Sequence, residues 1–148
     1  MKSLLYVTPL SGTNRVSIAR RFDLPDLLLP FWGYRKKMPV HRIVRLEGEG
    51  NYTLFHFDDG SQLMVSLTLK KLEGRLSPRL FVRPHKKNII NLLYVATIHP
   101  DRQHLTVSLT NGDCIDVSRR KASSFIKQLQ EFEQEVRLLA EQPVALSA

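Results

Sequence analysis

With one cysteine, Cys114, among 148 residues, the chain cannot close an internal disulfide. That excludes a stapled secreted domain and fits a reducing compartment. Long apolar runs are also missing. The longest, Leu27-Leu28-Leu29-Pro30-Phe31-Trp32, is far short of the roughly 20 residues a membrane-spanning helix needs, and it contains a proline. Met1 to Val7 opens as a signal peptide does, but Thr8, Pro9, Ser11 and Gly12 end the apolar stretch too soon. The cytoplasm is therefore the expected compartment. Acid is scarce: 14 Asp+Glu stand against 22 Lys+Arg, a net charge of +8. At 43% hydrophobic and 24% charged residues, the composition is that of one ordinary folded unit with tails.

Catalytic chemistry finds no support. The histidines, His41, His56, His85, His99 and His104, include no pair four residues apart and none beside a second cysteine, so a metal site is not expected. Cys114 lies in an alternating segment, where a small core hydrophobe is expected rather than a nucleophile. Glu47, Glu49, Asp58 and Asp59 cluster at turns, where such residues serve backbone geometry. No glycine-rich phosphate cradle occurs. The expectation is a protein that is not an enzyme and has no cofactor.

Charge is unevenly spread. Residues 1–40 hold 7 basic and 2 acidic side chains, residues 41–110 hold 10 and 6, and residues 111–148 hold 5 and 6. Between Arg75 and Pro100 there is no acid at all, while Arg75, Arg79, Arg83, Lys86 and Lys87 fall there. A local positive field follows, suited to nucleic acid or an anionic membrane surface.

Residues 1–39 lack a sustained period, hold four of the eight prolines and end in Arg35-Lys36-Lys37. They read as an irregular leader and basic linker, with Leu27 to Trp32 docked on the main domain or on a partner. From Arg42 short strands begin. Ile43 to Leu46, then Tyr52 to Phe57 after two glycines, then Gln62 to Val65 after Asp58-Asp59-Gly60 carry hairpin signatures. Thr68 can cap a short helix from Leu69 to Leu76, and Phe81-Val82 leads into a basic loop. Tyr94 to His99 and Leu105 to Leu109 read as strands about the turn Pro100-Asp101-Arg102-Gln103. Asn111-Gly112 then turns the chain into Cys114 to Val117. Ser118 is placed to cap a final helix from Arg119 to about Glu141, with a stripe of Phe125, Leu129, Phe132, Val136 and Leu139. Its first half packs at home; its second half either frays or reaches a partner.

Three polar segments stand at strand boundaries: Glu47-Gly48-Glu49-Gly50-Asn51-Tyr52, Arg83-Pro84-His85-Lys86-Lys87-Asn88 and Ser118-Arg119-Arg120-Lys121. Together with Ser66-Leu67-Thr68-Leu69, Ile89-Ile90-Asn91 and Asn111-Gly112, in this order, they resemble the LytTR-type DNA-binding domain of bacterial transcription regulators over residues 40–130. The resemblance implies a mostly β, elongated domain with a short internal helix and a C-terminal helix, whose loops enter the DNA grooves. Residues 131–148 are then a helix extension and tail. It implies contacts from Asn51, Tyr52 and Thr53, from His85, Lys86 and Lys87, and from Arg120. Arg120 is the expected reader of guanine through its O6 and N7 edge. Arg83, Lys86, Lys87, Arg119 and Lys121 are expected at phosphates. Basic residues where a helix starts oppose its dipole unless an anion sits there, which favours that role for Arg119 and Lys121. Tyr52 has a competing place in the core, and Asn91 is expected to tie down backbone.

The expected partner is double-stranded DNA, with a homodimer on tandem half-sites as a further possibility. The 40 residues ahead of the domain are too few for a receiver domain, so no phosphorylation switch is implied. The alternative is a protein-interaction module, its leader and last helix held by a membrane or regulator partner. An anionic-membrane binder ranks third, since no long basic amphipathic helix occurs.

Overall fold

The computed structural model describes residues 5–6, 12–31, 34–101 and 104–141. Along the chain run β1 (Leu5–Tyr6), α1 (Gly12–Phe22), β2 (Leu27–Phe31), β3 (Tyr34–Met38), β4 (Ile43–Glu49), β5 (Tyr52–Phe57), β6 (Gln62–Val65) and α2 (Leu69–Glu73). After them come β7 (Phe81–His85), β8 (Asn88–Asn91), β9 (Val95–Pro100), β10 (Leu105–Leu109), β11 (Cys114–Val117) and α3 (Ala122–Glu141). Short 3-10 turns at Val40–Arg42, Leu92–Tyr94 and Arg119–Lys121 join some of them. The fold is mostly β. Antiparallel strands form a five-stranded sheet in the order β6-β5-β4-β8-β7, a four-stranded sheet β1-β9-β10-β11 and the hairpin β2–β3. Among the described residues no helix is long and apolar enough to cross a membrane.

Turn chemistry fixes the reversals. Gly50, Gly60 and Gly112 have φ of +63°, +86° and +96°, the left-handed region that a side chain makes costly. On the strands between, alternate residues face the core: Ile43, Leu46, Phe55, Ile90, Ile98 and Val107 are fully buried. Thr68 caps α2, its hydroxyl accepting from the Lys71 N–H.

Several sequence expectations need correction. The leader is not irregular over its described part: α1 buries Ile18, Ala19 and Phe22, and β2 buries Leu27 and Leu29. Its elements are held by tertiary contact, which local periodicity does not display. The basic loop after Phe81-Val82 is a hairpin whose strands, β7 and β8, flank Lys86-Lys87. The internal helix stops at Glu73, and Tyr94 sits in a 3-10 turn. Cys114 is exposed, on the outer side of β11. Ser118 makes no side-chain cap. Trp32 and the turn residues Arg102 and Gln103 lie outside the described residues.

The last helix packs at home along most of its apolar stripe. Phe125, Leu129 and Phe132 are buried, with Val136 and Leu139 packed against the same cluster. α1 supplies the cover: Phe22 meets Phe132 edge-on at 6.0 Å, and Arg21 donates to the Leu139 carbonyl at 2.7 Å. Arg79 lies 4.3 Å over the Phe22 ring and pairs with Glu135, so one guanidinium joins both helices to the sheet connection.

Two polar clusters brace the sheets. Asn91, fully buried, donates to the carbonyls of Val40 and Ile43 and accepts from the Leu93 N–H. This is the backbone role expected of it. Nearby, Tyr94 donates to the His41 carbonyl; burial, with help from Asp58, pushes its hydroxyl up to about 12, so it stays a donor. On the other face Arg45 donates to Asp113 at 2.8 Å and to Asn88 at 2.9 Å, and pairs with Glu47. It thereby ties β4 to the β10–β11 turn.

Asn91→Ala removes three buried hydrogen bonds to backbone groups and should cost about 3 kcal/mol in urea unfolding, with m unchanged. Burial pushes the Asp113 carboxyl up, but hydrogen bonds from Arg45 and Asn111 outweigh it and hold it below its ordinary value of 3.8. A depressed folded-state value stabilises fully above the unfolded value and is lost as pH falls through the folded one. Stability measured below about pH 4 should therefore fall less steeply in Asp113→Asn than in the parent chain.

Candidate nucleic-acid interface

The three polar segments singled out in the sequence come together at one end of the five-stranded sheet. Pairing of Glu47 with Asn88 and Arg45 with Ile90 runs β8 against β4, so the β4–β5 turn and the β7–β8 turn leave the sheet at the same end. A main-chain bond closes the gap between them, the Gly48 N–H donating to the Lys87 carbonyl at 2.8 Å. The third segment joins through the Ser118 N–H, which donates to the Pro84 carbonyl at 2.9 Å. Lys121 adds a side-chain brace, its Nζ donating to the Arg83 carbonyl at 3.0 Å.

Local sequence explains the shape of each turn. Gly50 takes the positive φ that the first place of a two-residue II′-type reversal requires, which puts Asn51 at the tip and Tyr52 at the head of β5, paired with Glu49. Gly48 serves a different purpose: a Cβ there would stand 2.9 Å from Leu69 Cδ1, so its bareness lets α2 lie on the sheet. In the second turn, Arg83 donates to Glu73 at 3.2 Å and to the Lys86 carbonyl at 2.7 Å, binding the turn to α2. Its Nε is buried without a partner. Ser118 is held by its own backbone, accepting from the Lys121 N–H, and this opens the 3-10 turn that carries Arg119 and Arg120.

The residues divide by exposure. Asn51, Lys86, Lys87, Arg119 and Arg120 are exposed, and Tyr52 is 50% exposed, which settles its place outside the core. His85 is half-buried, with Nδ1 accepting from the Lys87 N–H at 3.2 Å. A ring nitrogen that accepts cannot carry the proton of neutral imidazole, so Nε2 carries it and is a donor. Thr53 is fully buried, its hydroxyl donating to the Leu67 carbonyl at 2.7 Å. Arg83 and Lys121 bridge segments of the fold. Thr53, Arg83 and Lys121 are thus the frame beneath the exposed set. Missing from the sequence reading were Gly48 and Arg45, whose partners lie 39 and 68 residues away; the glycine-rich run was the only visible trace.

The electrostatics favour an anion. Glu47 is engaged with Arg45 and His56, and Glu73 with Arg83, which leaves Glu49 as the nearest exposed acid among the turn residues. Among the described residues no group of three or more His, Cys, Asp or Glu side chains is placed to hold a metal.

Comparison with known proteins bears on the fold and the family. No curated protein matches the chain. Among solved structures, the LytTr DNA-binding domain of a Bacillus cereus protein described as a methyl-accepting/DNA response regulator matches with a TM-score of 0.61 at 24% identity. The match covers 71% of this chain and 96% of that one, and at that identity the likeness is one of fold. Residues 35–130 match the family model of the LytTr DNA-binding domain, and on that match the chain belongs to the LytTr family.

Proposed function

We propose that the chain is a sequence-specific transcription regulator that acts in the cytoplasm without catalysis, reading duplex DNA with the three braced turns. The observation that carries this is the pair of main-chain bonds, Gly48 to Lys87 and Ser118 to Pro84. They gather basic and amide side chains from positions 51 to 120 onto one end of a rigid sheet. Rigid presentation is what base readout needs, since direct contacts are sensitive to displacement by a fraction of a hydrogen-bond length.

In this reading Arg120 donates two bonds to guanine O6 and N7. His85 offers its Nε2 proton to a base acceptor or phosphate, and Asn51 at the neighbouring tip donates or accepts at a base edge. Tyr52 packs against sugar or base beside it. Lys86, Lys87 and Arg119 neutralise phosphates, contributing affinity without choice of sequence. Thr53, Arg83 and Lys121 position the turns from within.

Binding of the full chain to duplexes selected from random-sequence DNA tests the proposal. A selected consensus supports it; enrichment no better than random sequence overturns it. Arg120→Ala should cost about 1–3 kcal/mol at one base pair and relax choice there. Lys87→Ala should weaken all duplexes alike and reduce the salt slope by about 0.9, because the brace uses the Lys87 carbonyl and survives the substitution. Equal losses on selected and random DNA for both variants would overturn the assignment of roles.

A further inference from the structure

The β2–β3 hairpin lies beside the interface end of the molecule. Asp26 and Leu27 at its root, and Leu28, Pro30 and Arg35 further along it, line a cleft of about 440 Å³ with Leu67 and Arg75, and the Leu67 carbonyl accepts from Thr53 at the base of the β4–β5 tip.

Cross-strand register sorts the hairpin's side chains. Leu28 pairs with Lys37 and Pro30 with Arg35. Directly paired residues share a face, as do alternate residues along a strand. One face thus holds Leu27, Leu29 and Met38, all buried, together with the exposed Lys36, which pairs with Leu29. The other holds Leu28, Pro30, Arg35 and Lys37, all exposed. Arg35 and Lys37 stand about 7 Å apart along the strand, with Arg75 across the cleft and Asp26 the one acid lining it. Leu28 is the only large apolar side chain on this face among the described residues, too little for insertion into a lipid surface, which needs a broad apolar face.

We propose that this outer face is a second contact to the phosphodiester backbone, gripping duplex that flanks the segment held by the three turns. It rests on the DNA-reading role proposed above. Arg35 and Lys37 supply the cationic groups and Arg75 extends the line toward α2. Such contacts add affinity and register to a bound duplex without reading its sequence.

The test uses the full chain and a duplex that the parent protein has selected from random-sequence DNA. In Arg35→Gln/Lys37→Gln, the hydroxyl-radical footprint should keep its centre and lose protection on one flank. The slope of log affinity against log salt should fall by about 2. On a duplex trimmed to the central footprint the two proteins should bind within about twofold, since the flank contact has nothing to hold. Arg35→Lys/Lys37→Arg should restore the flank. An unchanged footprint and slope, with the parent still selecting a consensus, overturns the hairpin contact and leaves the three-turn reading intact. Failure of the parent to select any sequence overturns both. Binding to phosphatidylglycerol vesicles that is tighter than to the duplex and lost in the double variant assigns the face to membrane, and overturns the proposal as well.

Discussion

The candidate interface depends on main-chain hydrogen bonds that cross from one turn to another. Gly48 to Lys87 joins the two tips of the five-stranded sheet, and Ser118 to Pro84 joins the lead of the last helix to the same end. Each bond contributes only about 1 kcal/mol in net terms. Their effect is larger than that figure, because they connect segments whose ends the sheets already hold. Closing the gap between pre-ordered turns costs little further chain entropy. Arg83 and Lys121 work in the same direction, turning positive charge inward as bracing while Lys86, Lys87, Arg119 and Arg120 remain outside.

Behind the candidate interface, the described part of the segment ahead of residue 40 completes the core rather than trailing from it. The stripe on α3 runs from Phe125 to Leu139, and the sheets cover only part of it. α1 closes the rest through Phe22, Arg21 and its buried Ile18 and Ala19. The family match begins at residue 35, so α1 lies outside it and yet shares the same continuous cluster. Arg79 marks the junction, its guanidinium stacked on Phe22 and paired with Glu135.

Much of this was legible in the residues. The meander from Ile43 to Val65 showed itself through strand alternation and glycine-bearing turns, and Thr68 announced α2 as a cap should. The three polar segments were visible as departures from alternation. What stayed hidden shares one cause, dependence on distant partners. The sequence Phe81 to Asn91 looks like a loop because Pro84 and two lysines interrupt it, and only pairing with β4 makes β8 a strand. α1 carries Arg15, Arg20 and Arg21 and little local helix signal, so tertiary burial decides it. Cys114 alternates as a core residue would, but β11 presents that side to solvent. The sequence likewise could not divide the candidate site into exposed and bracing residues. Thr53 and Arg83 differ from Asn51 and Lys86 in where their partners sit, not in residue type.

The two braces between turns use peptide groups alone, and peptide groups are common to every residue except proline at the donor side. Asn51, Tyr52, Lys86, Arg119 and Arg120 can therefore be exchanged for other side chains without loosening the joints beneath them. Under the proposed DNA-reading role, recognition and architecture are then separately adjustable, and drift in binding preference among descendants need not be accompanied by compensating change in the scaffold.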